Sequence, residues 1–481
     1  MTTAPNTSLN ASRRRADLDH LASSEVDLLV IGGGVTGVGV ALDAASRGLS
    51  VCLVEAHDLA FGTSRWSSKL IHGGLRYLAQ GEIGLAYESA VERGILMTRT
   101  APHLVRALPQ LVPLHGKSRD LIVMTGLRAG DALRRMARTP SRVLPGPRHV
   151  SAVESLALAP GLRRDDLRGG LLSFDGQVID DVRLVVALAR TAAGLGARVI
   201  TRARVTSLTG DGAHVVDGLT GASLRIKARA VVNATGVWAG DLVDVKLRPS
   251  RGSHLVVAAS TVGLANTALT VPVPGSFNRF ALVLPQQDGR VYIGLTDEPV
   301  DGPIPDVPTV PQSDVDFLLG VASTVLERPL TQADVLGSFA GLRPLLDTGD
   351  GPSADLSRRH AVLTRDRVTT IVGGKLTTYR RMAADAVDAT ALTTVRSRTA
   401  HLPLIGAGLA TGPEHLVARY GTEALQVAEI GEVAWAVRHE GALDADDVLD
   451  RRTRIGLVPT DRADAEPAVT RQVTEELSAL T

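Results

Sequence analysis

Short apolar runs alternate with helical spacing along the first third of the chain. Leu28-Leu29-Val30-Ile31 is continuous and apolar, the pattern of a strand buried on both faces. Glycines follow, and then Val35, Val38, Leu42 and Ala45 recur at spacings that put them on one helical face. Gly48 suits the helix C-terminus, and Leu49 to Val54 predicts a second apolar strand ending at Glu55. Further on, the pattern predicts a helix over Asp181 to Leu195 and a strand over Ala197 to Leu208. Short buried strands are expected at Ala230-Val231-Val232 and at Thr369-Thr370-Ile371-Val372. Ser253 to Val257, Phe280 to Leu284 and Arg290 to Gly294 alternate between Pro and Gly breaks, which suits an antiparallel sheet. From about His401 the pattern is helical: Gly412 to Tyr420, Gly431 to Glu440 and Asp444 to Thr453. Met1 to Ser24 is polar and reads as a mobile tail without the apolar centre of a secretory signal.

Composition narrows the function classes. The chain has 481 residues with a net charge of +1 and 3% aromatics, so neither a nucleic-acid surface nor a carbohydrate-stacking platform is favoured. Its single cysteine, Cys52, rules out an internal disulfide and any cysteine-rich metal site, and it lies in an apolar strand. No metal site is expected. The longest apolar stretch, Leu28 to Ala45, is interrupted by five glycines and Asp43, short of the roughly 20 uninterrupted residues of a membrane span. A cytoplasmic location follows as the expectation.

Candidate chemistry begins at Gly32-Gly33-Gly34-Val35-Thr36-Gly37, which fits G-x-G-x-x-G between a strand and a helix. Gly32 permits the turn, Gly34 lets backbone approach a pyrophosphate, and Gly37 lets helix and strand pack closely. The helix N-terminus faces the phosphates, and Glu55 stands where an acid accepts ribose hydrogen bonds. This unit predicts a dinucleotide without separating FAD from NAD.

The next segments make that distinction. Ser67-Ser68-Lys69-Leu70-Ile71-His72-Gly73-Gly74-Leu75-Arg76-Tyr77-Leu78 resembles the FAD-dependent glycerol-3-phosphate dehydrogenases. Later segments agree in order: Gly252-Ser253-His254, Ile293-Gly294-Leu295-Thr296-Asp297, Gly341-Leu342-Arg343-Pro344-Leu345 and Gly373-Gly374-Lys375-Leu376-Thr377-Thr378-Tyr379-Arg380. The likeness runs from Asp27 to about Arg381 and resumes weakly at Arg419 to Glu423 and Asp446 to Ile455. It implies an α/β fold: a discontinuous FAD-binding Rossmann-like domain (27–113, 171–246, 337–391), an antiparallel-sheet substrate domain (114–170, 247–336) and a C-terminal helical domain (400–481), after a tail over 1–26.

The resemblance also assigns roles. FAD would be held by Gly32, Gly34, Val35, Thr36, Gly37, Glu55, Thr63, Ser64, Ser67, Ser68, Lys69 and Leu70. Val205 would meet the adenine end. Ala234, Gly236 and Trp238 would make a second backbone approach, and Gly374, Lys375, Leu376 and Thr377 would approach the flavin ring. The implied reaction oxidises sn-glycerol 3-phosphate to dihydroxyacetone phosphate, with hydride to flavin N5 and electrons to a quinone. Arg76 and Arg343 suit the phosphate, because guanidinium offers forked donors. His72 and His254 are both candidate bases. Lys375 would hold negative charge near the flavin or orient the substrate, with Thr296 beside it, and Arg380 reads as a salt bridge on its own helix. The rival acceptor is O₂, as in a glycerol-3-phosphate oxidase; a related amine or amino-acid oxidase is a further alternative. The arginine-rich segment from Arg106 to Arg148 reads either as an amphipathic helix on a membrane surface or as a solvated helix. A homodimer is left open.

Overall fold

The computed structural model describes residues 6–74, 77–78, 81–115, 120–276, 279–347 and 359–480. The apolar runs become the centre of an eight-stranded sheet, six of whose strands lie in the order His360–Arg365, Val368–Gly373, Ser223–Asn233, Glu25–Ile31, Val51–Val54, Arg198–Ile200, while Gly212–Asp217 pairs with Ser223–Asn233 and Ala203–Thr209 with Gly212–Asp217. Its inner pairs are parallel, with Leu28 opposite Ala230 on one side and Val51 on the other. Both faces of such strands are covered, so an unbroken apolar run is the correct sequence for them. The helices Val35–Ser46, Asp181–Gly194 and Tyr379–Ala389 share a core with this sheet. Cys52 is buried in it, and burial pushes its thiol pKa up.

A ten-stranded second sheet is antiparallel except where Ala268–Pro272 runs beside Val105–His115. Val105–His115 pairs over its whole length with Leu167–Val178, and Val335–Arg343 pairs with Ser250–Ala258. Val105–His115, Leu167–Val178 and Val335–Arg343 straddle the boundaries expected from sequence at 113, 171 and 337, because their partners lie far away in the chain. By hydrogen bonding they belong to the second sheet. Arg106 is therefore in a strand, and the helix in the arginine-rich segment is Asp120–Met136.

The expected tail needs correcting. Ala11–Leu21 is a helix whose N-cap, Asn10, accepts a hydrogen bond from the Arg13 N–H at 2.9 Å. Arg14 donates to Asp217 and, at 2.9 Å, to the Thr201 carbonyl. Leu9 exchanges backbone bonds with His439 and Gly441. This helix docks through the buried Arg14 and one fully buried apolar residue, Leu21, too few apolar anchors for hydrophobic periodicity to reveal it. Arg380 differs too: it bonds Glu92 on another helix, Ile83–Ile95, at 2.7 Å.

The helices Glu414–Tyr420, Ala424–Ile430, Glu432–His439 and Pro459–Ala479 form the C-terminal unit. Its Glu440 meets Arg183 of the Asp181–Gly194 helix in a two-pronged ion pair, one arm 2.6 Å, with both side chains buried. The guanidinium holds the Glu440 carboxyl below its usual pKa despite burial. Removing one partner strands the other charge away from water. Glu440→Ala is expected to cost about 3–5 kcal/mol, read as a lowered urea midpoint; a midpoint within about 0.5 kcal/mol of the wild type would show the pair to be dispensable.

Candidate functional site

The two sheets enclose a cavity of about 1160 Å³. One end is built by the glycine turn. Gly32 has φ +110°, and a Cβ there would lie 2.5 Å from the Ala234 carbonyl oxygen. A Cβ on Gly37 would lie 1.9 Å from the Gly32 carbonyl oxygen, so the packing role read from sequence is a strict one. Gly34 caps the helix Val35–Ser46, and Ser64 Oγ accepts the Val35 N–H at 2.9 Å. The Glu55 carboxylate accepts the N–H groups of Gly33 at 2.6 Å and His57 at 2.8 Å, and burial raises its pKa. Glu55 thus braces the turn while also lining the cavity. Val205 lines the same end. So do His57, stacked on Phe61 at 3.8 Å, and Arg204, 3.1 Å from the His57 ring. Sequence reasoning missed these three; His57 lies only two residues beyond Glu55, which was the available signal.

Along the middle, Thr36, Thr63, Ser64, Ser67, Ser68, Leu70, Ala234, Gly236 and Trp238 all line the cavity. The Trp238 ring lies where a Cβ on Gly62 would be, at 2.8 Å. Thr63 donates to the Leu342 carbonyl at 2.6 Å, which ties this loop to the second sheet. Lys69 turns away from the cavity. Its ammonium bonds Asp181 at 2.7 Å and the Arg65 carbonyl at 3.0 Å, and the same Asp181 oxygen accepts from Ser67. Burial lowers the Lys69 pKa to about 8.

The same cavity is lined by the residues of candidate catalysis, His72, His254, Arg343 and Lys375, and by Gly374, Leu376 and Thr377. Arg76 lies outside the described residues. Arg343 lies across Gly252, where a Cβ would sit 2.5 Å from its guanidinium, and donates to Asp297 at 3.0 Å and Ser250 at 3.2 Å. Thr296 is absent from the lining: its hydroxyl bonds Asp314 at 3.1 Å and accepts the Ser253 N–H at 3.0 Å. Lys375 donates to Ser89 and sits 4.0 Å over the Tyr77 ring. His72 is half-buried and stacks on the same Tyr77 at 6.4 Å. Asp175, which the sequence reading passed over, accepts the Gly73 N–H at 3.1 Å and steadies the loop carrying His72.

His254 is buried. Its Nε2 is 2.8 Å from Ser68 Oγ, and its ring stacks on Phe339 at 4.7 Å. Burial, then the cations Lys69 and Arg343, lower its pKa to about 3. An unfolded histidine titrates near 6.5, so this group's contribution to stability is whole above that pH and is lost as pH falls from there toward 3. His254→Gln should therefore flatten the fall in stability between pH 7 and pH 5 by up to about 2 kcal/mol. Denaturant midpoints across that range measure it; parallel curves for variant and wild type would contradict a neutral buried imidazole.

The glycine cradle, the open helix N-terminus and the long cavity fit a dinucleotide. Residues 27–380 match the family model for FAD-dependent oxidoreductases. The chain is 53% identical to glycerol-3-phosphate dehydrogenase 1 of Mycobacterium tuberculosis, over 94% of this chain and 96% of that protein. It is 37% identical to glycerol-3-phosphate dehydrogenase 2 of the same organism, over 94% of this chain and 85% of that one. Among solved structures, the glycerol-3-phosphate dehydrogenase of Bacillus halodurans complexed with FAD superposes with a TM-score of 0.77 at 27% identity, covering 98% of this chain and 94% of that one. The L-α-glycerophosphate oxidase of Mycoplasma pneumoniae shares the fold, with a TM-score of 0.59 at 20% identity, covering 78% of this chain and 97% of that one. With the cradle and the cavity in place, this likeness along nearly the whole chain shows that it belongs to the FAD-dependent glycerol-3-phosphate dehydrogenase family.

Proposed function

We propose that this enzyme oxidises sn-glycerol 3-phosphate to dihydroxyacetone phosphate with FAD held in the long cavity, and that the electrons pass to a quinone. The observation that carries the reading is the continuity of the cavity. The glycine turn and Ser64 line the same cavity as Arg343, His72 and Lys375. Bound FAD supplies the acceptor for the two electrons.

The chain's own residues do the rest. Arg343 presents a fork already fixed by Asp297, Ser250 and the Thr296 carbonyl, which lowers the entropy cost of gripping a phosphate. Arg76 is its proposed partner in that grip. His72, half-buried at the cavity wall, would take the proton of the C2 hydroxyl. His254 is less suited to that task, since its Nε2 already meets Ser68 and burial opposes a charge on it. It would hold the Ser68 hydroxyl in place instead. Lys375 would steady negative charge developing at the flavin edge.

A quinone is reached at a bilayer surface. No helix among the described residues is long and apolar enough to cross a membrane. The helix Asp120–Met136 buries Met124, Leu127 and Leu133 but leaves Leu121, Ile122 and Met136 exposed beside Arg128 and Arg135. That outward mixture of apolar and cationic groups supports peripheral contact with an anionic surface. Flotation with anionic liposomes should carry the wild type and lose Leu121→Asp/Ile122→Asp; co-flotation of both equally would remove this helix from the proposal.

Glycerol 3-phosphate should bleach the flavin under anaerobic conditions, and glycerol should not. Bleaching by an amino acid instead would overturn the substrate class, and peroxide formed stoichiometrically in air would assign O₂ as the acceptor. Arg343→Ala should keep its flavin and raise KM for glycerol 3-phosphate by about a hundredfold, as for loss of a charged hydrogen-bonded pair worth roughly 3 kcal/mol. Unchanged KM with flavin lost would refute the phosphate role.

A further inference from the structure

The loop Asp58–Trp66 has two sides. One faces the cavity with Phe61, Gly62, Thr63, Ser64 and Trp66. The other is gripped by the C-terminal unit. Asp58 is 1% exposed and its carboxylate accepts from Arg451 Nε at 2.7 Å and from Arg452 Nη1 and Nη2 at 2.7 and 2.9 Å. Arg454 Nη2 donates to the Arg65 carbonyl at 2.9 Å, and its guanidinium lies 5.4 Å from the Trp66 ring. The Arg65 guanidinium sits between them, 4.3 Å from Trp66 and 5.0 Å from Phe61. On the cavity side the same loop closes on the glycine turn: the Ala60 N–H donates to the Gly33 carbonyl at 3.0 Å, and Ser64 caps the helix beyond it. None of the residues 447–457 lines the cavity.

From this arrangement we infer that Asp58, Arg451 and Arg452 are positioning residues for the cofactor: the C-terminal unit clamps the cavity loop from behind, so that FAD affinity and the order of that unit are one coupled property. The inference rests on the cavity being the FAD site. An isolated loop of this length would lose conformational freedom when FAD binds. A loop already held by three charge-assisted bonds to a packed unit has met that cost during folding. The Asp58 carboxyl stays ionised beneath the two guanidinium groups, whose pull outweighs the cost of its burial. Buried pairing of this kind fixes position as much as it adds stability. Linkage makes the coupling reciprocal: what the C-terminal unit does for FAD, FAD must do for it.

Hydrogen exchange tests this on the wild-type protein, with its flavin and after flavin removal and reconstitution. FAD should protect the amides of 32–37, and it should also slow exchange at 447–457, outside the cavity. Protection at 32–37 with no change at 447–457 would overturn the clamp while leaving the cofactor site intact. No protection at 32–37 would overturn both. Asp58→Asn, close in shape and uncharged, should release FAD at least tenfold faster than the wild type. It should also abolish the FAD-dependent protection at 447–457. Arg451→Lys, which keeps the charge but not the fork, should fall between them. A purely structural role would lower the unfolding midpoint yet leave that FAD-dependent protection in place, and release at the wild-type rate from either folded variant would count against the clamp.

Discussion

Everything in the nucleotide unit depends on one convergence of backbone. At the end of the strand Glu25–Ile31 the turn, the helix that follows it and the Ala234 segment approach more closely than any side chain allows. A Cβ on Gly37 would stand 1.9 Å from the Gly32 oxygen, and a Cβ on Gly32 would stand 2.5 Å from the Ala234 oxygen. The convergence brings the helix start, Gly34 to Thr36, to the cavity surface, which is what a pyrophosphate needs. It also dictates its surroundings. The neighbouring strand must stop at Asn233, whose buried side chain binds the Ala239 carbonyl and the Thr235 hydroxyl and turns the chain away. Glu55 must reach under the turn to satisfy the Gly33 N–H, since an orphaned buried donor would cost about 1–3 kcal/mol.

Away from that point, buried carboxylates do the positioning. Each braces a segment at or next to the cavity wall, and Asp175 lines the cavity itself. Asp181 gathers Ser67 and Lys69, Asp175 gathers Gly73 and Arg93, Asp314 gathers Ser253, Thr296 and Arg251, and Asp58 gathers two arginines of the C-terminal unit. An apolar contact can slide, whereas a carboxylate with two or three directed donors cannot shift without leaving one unpaired. The wall is therefore fixed at several separate points. A site that must place a cofactor ring against a small substrate tolerates little looseness.

These supports explain which parts could be read from sequence. The dinucleotide unit was legible because its signal is local: strand, glycines, helix, strand and Glu55 fall within a span of about thirty residues. The motif residues His72, His254, Arg343 and Lys375 all line one cavity. Side-chain direction was not legible. Lys69 sits inside the motif yet points at Asp181, 112 positions away, and Thr296 points at Asp314 instead of into the cavity. The helix Ala11–Leu21 was hidden because its anchors are Asp217 and the Thr201 carbonyl, which no periodicity records. Sheet membership failed at Val105–His115, Leu167–Val178 and Val335–Arg343 for the same reason, since pairing is decided by distant partners.

Burial at the catalytic end has two consequences. Phe339 is the hub of the wall there: His254 stacks on it at 4.7 Å, Trp66 at 5.5 Å, and Tyr292 meets it edge-on at 5.3 Å. Such a wall excludes water and denies His254 a charge. The same low polarizability strengthens any field from Arg343 nearby, because charge interactions weaken in proportion to the dielectric between them. Arg343 is paired there with Asp297 at 3.0 Å, so the wall holds the guanidinium together with a counter-charge. The same desolvated wall thus holds one basic group neutral and pairs another with a carboxylate. The difference lies in the partners: His254 has a hydroxyl to bond, and Arg343 has a carboxylate.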